Sequence, residues 1–148
     1  ERSGDIKFNN LTYSPVYFLK SISKYLIKLD SRKEVKPFLK SIKRSLEHIE
    51  KYYDETYLLY KREVHSETKF YLKYNSILLS CLDDLSQSLN KFEFIKEADN
   101  FFILKGKLEL GFNRYFYQNQ EKLLISNFTE NGNYKLASEK EIMNTLLH

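Results

Sequence analysis

Tryptophan is absent from this 148-residue chain, cysteine and methionine occur once each, proline twice and glycine four times. The single cysteine, Cys81, excludes an intrachain disulfide and points to a reducing compartment, so a cytoplasmic location is expected. The glycines build no phosphate-cradling loop, because Gly106 and Gly111 are followed by no Gly-Lys-Ser or Gly-Lys-Thr. Apolar runs reach only about four residues, as in Phe101 to Leu104, far short of the ~18 of a membrane span. Residues 1–10 show no apolar run of a signal peptide. Arginine is scarce, 5 residues against 19 lysines, which disfavours sequence-specific base reading through bidentate guanidinium contacts.

What is present is charge on one side of the chain and a great deal of aromatic carbon. Charged residues make up 30% and apolar residues 42%, the composition of a folded domain and not of a disordered tail. The length fits one domain, 1–148, with residues 1–13 expected to form a disordered N-terminal arm. Residues 1–75 carry 16 Lys or Arg and 10 acids, a net of +6, whereas residues 76–148 carry 8 and 10, a net of −2. The excess concentrates between Lys20 and Arg44, where nine basic residues meet only Asp30 and Glu34. A share of this lysine also follows from an A and T rich coding sequence, which favours Lys, Asn, Ile, Phe and Tyr together.

Apolar periodicity predicts a mainly α fold. Ser14-Pro15 marks a helix start, and Phe18, Leu19, Ile22, Tyr25, Leu26 and Leu29 recur at helical spacing, predicting a helix over 15–29. After a break at Asp30-Ser31-Arg32, the series Phe38, Leu39, Ile42, Leu46, Ile49, Tyr53, Tyr57, Tyr60 predicts a second helix over 34–62 with Pro37 in its first turn. Phe70, Tyr74, Ile77, Leu78, Cys81, Leu82, Leu85, Leu89 and Phe92 predict a third, over 67–96. These three are expected to form an antiparallel helical bundle. Alternation of Leu108, Leu110 and Phe112 with Glu109 and Gly111 suggests a small aromatic hairpin or irregular segment over 101–117, with Tyr115 to Tyr117 as a further strand. Thr129 to Asn133 reads as a loop and Tyr134 to Leu147 as a C-terminal helix.

The surface feature with a direction is the basic stripe. Lys20, Lys24 and Lys28 recur at spacing four opposite Ile22, Leu26 and Leu29, and Lys36, Lys40 and Arg44, with Lys43 beside them, do likewise on the next helix. If the two helices lie side by side, the candidate nucleic-acid-binding set Lys20, Lys24, Lys28, Lys36, Lys40, Lys43 and Arg44 would meet several phosphates, with steep salt dependence. A solvated face of a lysine-rich protein is the plainer reading of the same residues. Tyr53, Tyr57 and Tyr60 form a candidate partner-binding cluster, equally readable as core-edge tyrosines.

Chemistry is harder to find. The histidines are His48, His65 and His148, and no carboxylate stands three residues before His48 or His65, as a di-iron bundle requires. Nor does Arg44 with His48, or Arg62 with His65, match the spacing of the helical HEPN ribonucleases. Cys81 shares a face with Tyr74, Ile77 and Leu85 and reads as a small core residue. No catalytic set, metal site or cofactor site is expected. An enzyme would need a cleft gathering His48 or His65 with Glu63 or Asp54.

Several short segments together resemble a known family. Lys69-Phe70-Tyr71 opening a long helix, Glu93-Phe94-Ile95 near its end, Phe101-Phe102-Ile103-Leu104-Lys105-Gly106-Lys107, and Tyr134-Lys135-Leu136-Ala137 opening a final helix resemble the amino-terminal region of the RteC family, regulators of excision in bacterial conjugative transposons. The likeness covers roughly residues 67–147, and the stretch Tyr115 to Phe128 departs from it, with Gln118-Asn119-Gln120 in place of an acidic loop. It implies a non-enzymatic helical domain of a DNA-associated transcription or excision regulator of a mobile element, with a DNA-reading part beyond His148. The partners expected are DNA, through nonspecific phosphate contacts, or a protein or second copy, and no membrane. The alternative is a protein-interaction bundle such as a bacteriocin-immunity or phage-encoded inhibitor protein.

Overall fold

A computed structural model describes residues 13–62, 69–118 and 123–146. It is mainly helical with small antiparallel strand pairs. The expected N-terminal arm lies outside the described residues except for Tyr13, where the first helix begins. Helix α1 (Tyr13–Leu26) buries Val16, Leu19, Ile22 and Leu26, a stripe at steps of three and four. Ser31 then caps the short α2 (Arg32–Val35): its hydroxyl accepts the Glu34 N–H at 3.4 Å, while the Glu34 carboxylate accepts the N–H groups of Asp30 and Ser31, both at 3.0 Å. Those two donors hold the Glu34 carboxyl below its usual range. Pro37 sits in a 3-10 turn (Lys36–Phe38), and α3 (Leu39–Glu50) follows with Ile42, Ser45 and Ile49 buried.

The second helix therefore stops at Glu50 and does not continue to residue 62. Residues beyond it form a hairpin, β1 (Tyr53–Asp54) with β2 (Leu59–Tyr60), in which Tyr53 pairs with Tyr60 at a ring separation of 5.0 Å. Two local devices outcompete the helical spacing of the tyrosines. The Asp54 carboxylate accepts the N–H groups of Thr56 (3.0 Å) and Tyr57 (3.2 Å), the turn chemistry that draws backbone donors away from a helix. Leu58 takes a left-handed φ of 57°. From outside the hairpin, buried Asn75 completes the diversion: its side chain accepts the Tyr60 N–H at 2.8 Å and donates to the carbonyls of Tyr60 (3.0 Å) and Tyr71 (2.9 Å).

The third expected helix begins later and ends earlier than its apolar series. Lys69–Tyr71 is strand β3, and α4 (Leu72–Lys91) then carries the central apolar row, with Ile77, Leu78, Cys81, Leu82, Leu85 and Leu89 buried. A turn at Glu93, with φ 64°, reverses the chain into α5 (Ile95–Tyr115). The Phe94 N–H donates to the Leu89 carbonyl (2.9 Å), the Ser86 hydroxyl to that of Ala98 (3.2 Å), and Lys105 pairs with Asp83 at 2.8 Å. Falling numbers on α4 thus meet rising numbers on α5, which makes the pair an antiparallel helical hairpin. It is the most extensive helix contact; α1 packs on α4 and α3.

The hairpin expected over 101–117 is a correction: the segment is helical. Ala98, Phe101, Leu108 and Gly111 are buried, with Leu104, Phe112 and Tyr115 partly so, and that series has helical spacing; Leu110, which suggested a strand, is 60% exposed. Phe116 closes α5, and Tyr117–Gln118 forms β4. The central strand β5 (Leu123–Thr129) pairs antiparallel with β3, β4 and β6 (Tyr134–Leu136), the turn between β5 and β6 holding Gly132 at φ 81°. The C-terminal helix is correspondingly shorter than expected. Residues 134–136 are strand, and α6 (Glu139–Leu146) starts after Ser138, whose N–H donates to Glu141 Oε2 (2.9 Å) while its hydroxyl accepts the Glu141 N–H (3.3 Å).

Candidate nucleic-acid surface and the groove beside it

The basic stripe is distributed over two separate clefts. On α1, half-buried Lys20 and exposed Lys24 border a cavity of about 110 Å³ with Ser23, Ile77, Ser80, Cys81 and Asp84. Burial, and then the neighbouring Asp83, push the Asp84 carboxyl up, while Lys24 pulls it back. Burial also raises the Cys81 thiol to about 12, with Asp84 adding to the effect, so Cys81 stays a thiol at neutral pH and sits in the core as its sequence position predicts.

On α3, exposed Lys40 and Lys43 stand on the rim of a larger groove between α3 and α5, of about 700 Å³. Its floor is apolar: Ile42, Leu46, Leu89, Phe101 and Leu104. Glu47 and Glu50 continue the rim toward the C-terminal end of α3, with Lys96, Glu97 and Asn100 from α5 opposite. Burial, then the Glu47 charge, hold the Glu50 carboxyl above its usual range. Lys28, just past α1, Lys36 in the 3-10 turn and Arg44 on α3 are exposed. The structure therefore brings Lys40 and Lys43 together and sets them apart from Lys20 and Lys24, which face α4. One basic residue of the stretch has a task inside the molecule: the Arg32 guanidinium lies 4.5 Å from the centre of the Phe94 ring, fastening α2 to the α4–α5 turn.

The tyrosine cluster is occupied from within. Tyr60 is 1% exposed and Tyr53 and Tyr57 are partly buried. Tyr57 packs against Phe70 (4.8 Å between ring centres), Tyr115 (5.1 Å) and Phe128 (5.8 Å), and Phe70 stacks on Phe128 at 5.1 Å. This aromatic knot joins the β1–β2 hairpin, the sheet and the end of α5. Tyr60 has no surface to offer a partner, and the reason is the Asn75 clamp on its backbone.

His48 is half-buried on α3, its pKa lowered by burial and then by Lys51, and its ring lies 5.9 Å from that of Tyr52. Asp54 is engaged by its own turn and by Lys61 at 3.0 Å. Glu63 and His65 lie outside the described residues. Among the described residues no group of three His, Cys, Asp or Glu could hold a metal ion, and no helix is long and apolar enough to cross a membrane.

Sequence reasoning overlooked Asn75 and both capping boxes. The boxes were legible as Ser31-x-x-Glu34 and Ser138-x-x-Glu141; Asn75 carried no local signal, since its partners Tyr60 and Tyr71 are assembled by the fold. Comparison with protein families, with curated proteins and with solved structures returns no match to this chain.

Proposed function

We propose that this chain is a non-enzymatic binding domain of a DNA-associated regulator, an antiparallel helical bundle of the kind the RteC resemblance implies, working in the cytoplasm on a mobile element. The observation that supports it is the exposure of Lys24, Lys28, Lys36, Lys40, Lys43 and Arg44 within one stretch whose acids are few. Of the two acids there, Glu34 is turned onto the backbone of Asp30 and Ser31. Lysine ammonium groups on flexible stems suit phosphate contact without base reading, so the domain adds affinity and leaves specificity to other sequence.

The test is a salt titration of binding to duplex DNA. Binding should weaken steeply as salt rises, and Lys24→Glu, Lys28→Glu, Lys40→Glu and Arg44→Glu together should abolish retention with the melting temperature unchanged. Retention by that variant at low salt would overturn the surface assignment.

A second reading, a protein-interaction module, draws support from the apolar floor of the α3–α5 groove and not from Tyr53, Tyr57 and Tyr60. It predicts a stable protein complex, lost on Leu46→Glu, and little salt-sensitive DNA binding.

A further inference from the structure

We infer that the outward face of α5 is a self-association surface, on which two copies of this chain pack α5 against α5, antiparallel, across a two-fold axis at Gly106. The inference is independent of the nucleic-acid reading. It starts from the glycine itself. Gly106 lies in mid-helix, where glycine is less stable than alanine, so its presence asks for a reason. For Gly111 the reason is internal: an added Cβ would stand 2.6 Å from the Tyr57 carbonyl oxygen and closer still to that of Leu58. At Gly106 an added Cβ would meet nothing within 4 Å. Among the described residues nothing needs that position bare, whereas a helix approaching from outside would.

The residues around Gly106 are those such a helix would cover. Phe102 is 63% exposed, Leu110 60% and Ile95 50%, while Ile103, 55% exposed, borders the α3–α5 groove. At 100° per residue Ile95, Phe102, Gly106 and Leu110 fall on one outward stripe, opposite buried Phe101 and Leu108. Exposed apolar side chains gathered on the outside of an amphipathic helix, here with Asp99 and Asn113 among them, mark an interaction site.

The pattern is also self-complementary about its centre. Phe102 and Leu110 stand four residues before and after Gly106, and Asp99 and Asn113 seven. In an antiparallel two-fold pair Gly106 meets its own copy, Phe102 faces Leu110 of the second copy, and Asp99 faces Asn113, a hydrogen-bonding match. A parallel pair would oppose Asp99 to Asp99 and Glu109 to Glu109, like charges in contact. Ile95, Phe102 and Leu110 supply the apolar part of this face, with Asp99 and Asn113 between them in the seam and Glu109 at its edge.

Sedimentation velocity and light scattering on the full chain, from nanomolar to high micromolar concentration, test this. A concentration-dependent dimer is expected. Phe102→Glu with Leu110→Glu should give a monomer with unchanged helical circular dichroism, and Gly106→Leu should raise the dimer dissociation constant at least about tenfold. Register is read by crosslinking in a Cys81→Ala background: Asp99→Cys mixed with Asn113→Cys should form the disulfide, and Asp99→Cys alone should not. A monomer at every concentration would overturn the inference and leave the stripe to a different protein. Efficient Asp99→Cys self-crosslinking would overturn the antiparallel arrangement.

Discussion

Two positions on α5, Gly106 in mid-helix and Gly111 near its C-terminal end, hold the same residue type for opposite reasons. At Gly111 the β1–β2 hairpin presses its backbone onto the helix, and the absence of a Cβ is what lets Tyr57 and Leu58 come that close. At Gly106 the space a Cβ would take meets no described atom within 4 Å. A glycine in a helix is thus explained by what approaches it, and only at one of these two positions is the approaching backbone part of the same fold. The aromatic knot grows from this difference: where the helix can be approached closely, the hairpin, the sheet and Tyr115 close over it.

The largest expected effect breaks the Gly111 side. Gly111→Ala forces the hairpin away and should destabilise the fold by about 3 kcal/mol, the upper range for overpacking. Thermal unfolding measures it, and the rate at which buried Cys81 reacts with a thiol reagent should rise with it. If the variant melts like the parent, the close approach is not structural. Next is Asn75→Ala, which leaves the Tyr60 N–H and carbonyl and the Tyr71 carbonyl without their partner and should cost about 2 to 3 kcal/mol. Amide exchange at Tyr60 should accelerate more than exchange on α4; uniform acceleration would show that the clamp holds the whole domain and not the hairpin.

At Gly106 the sign should reverse. Gly106→Ala is expected to stabilise the chain by about 0.5 to 1 kcal/mol at concentrations where it is monomeric, and a destabilised monomer would mean that something in the fold does occupy that space. The smallest effect lies at the far end of the sheet. The Ser138 N–H and the Ser126 hydroxyl hold the Glu141 carboxyl below its usual range, the second at 2.8 Å. A depressed folded-state pKa contributes stability that is present above the unfolded value and lost as pH falls through the folded one. The contribution of this cap, up to about 1 kcal/mol, should therefore be intact at neutral pH and be lost as the pH falls below the usual carboxylate range, through the depressed folded-state pKa. An NMR titration of Glu141, with fraying of α6 followed by amide exchange, checks it.

How much of this was readable depends on whether the governing partner was local. The buried face of α1 was legible because Leu19, Ile22 and Leu26 repeat at helical spacing and nothing else competes for them. The apolar row of α4 was legible for the same reason, and so was the buried state of Cys81. The reading failed where two periodicities overlap. Tyr53, Tyr57 and Tyr60 follow Ile49 at steps of three and four, yet Asp54 and Asn75 offer the backbone better partners than a helix does. Leu108, Leu110 and Phe112 alternate like a strand, yet Leu108 and Gly111 answer to the packing of α5 on α4 and the hairpin. Of the candidate site, the identity and exposure of the lysines could be read, but not their division between two clefts, which depends on helix rotation.

The chain by itself determined a mainly helical protein with one thiol and an excess of basic charge between Lys20 and Arg44. These follow from composition and from period, which are properties of neighbours in sequence. Only the tertiary structure decided that the second helix ends at Glu50, that the tyrosines turn inward, that Lys20 and Lys40 border different clefts, and that Gly106 alone of the two glycines on α5 faces open space. Beside the local Asp54 turn, these outcomes draw on contacts between residues distant along the chain, Tyr60 with Asn75, Arg32 with Phe94, Gly111 with Tyr57, and such contacts have no local periodicity to announce them.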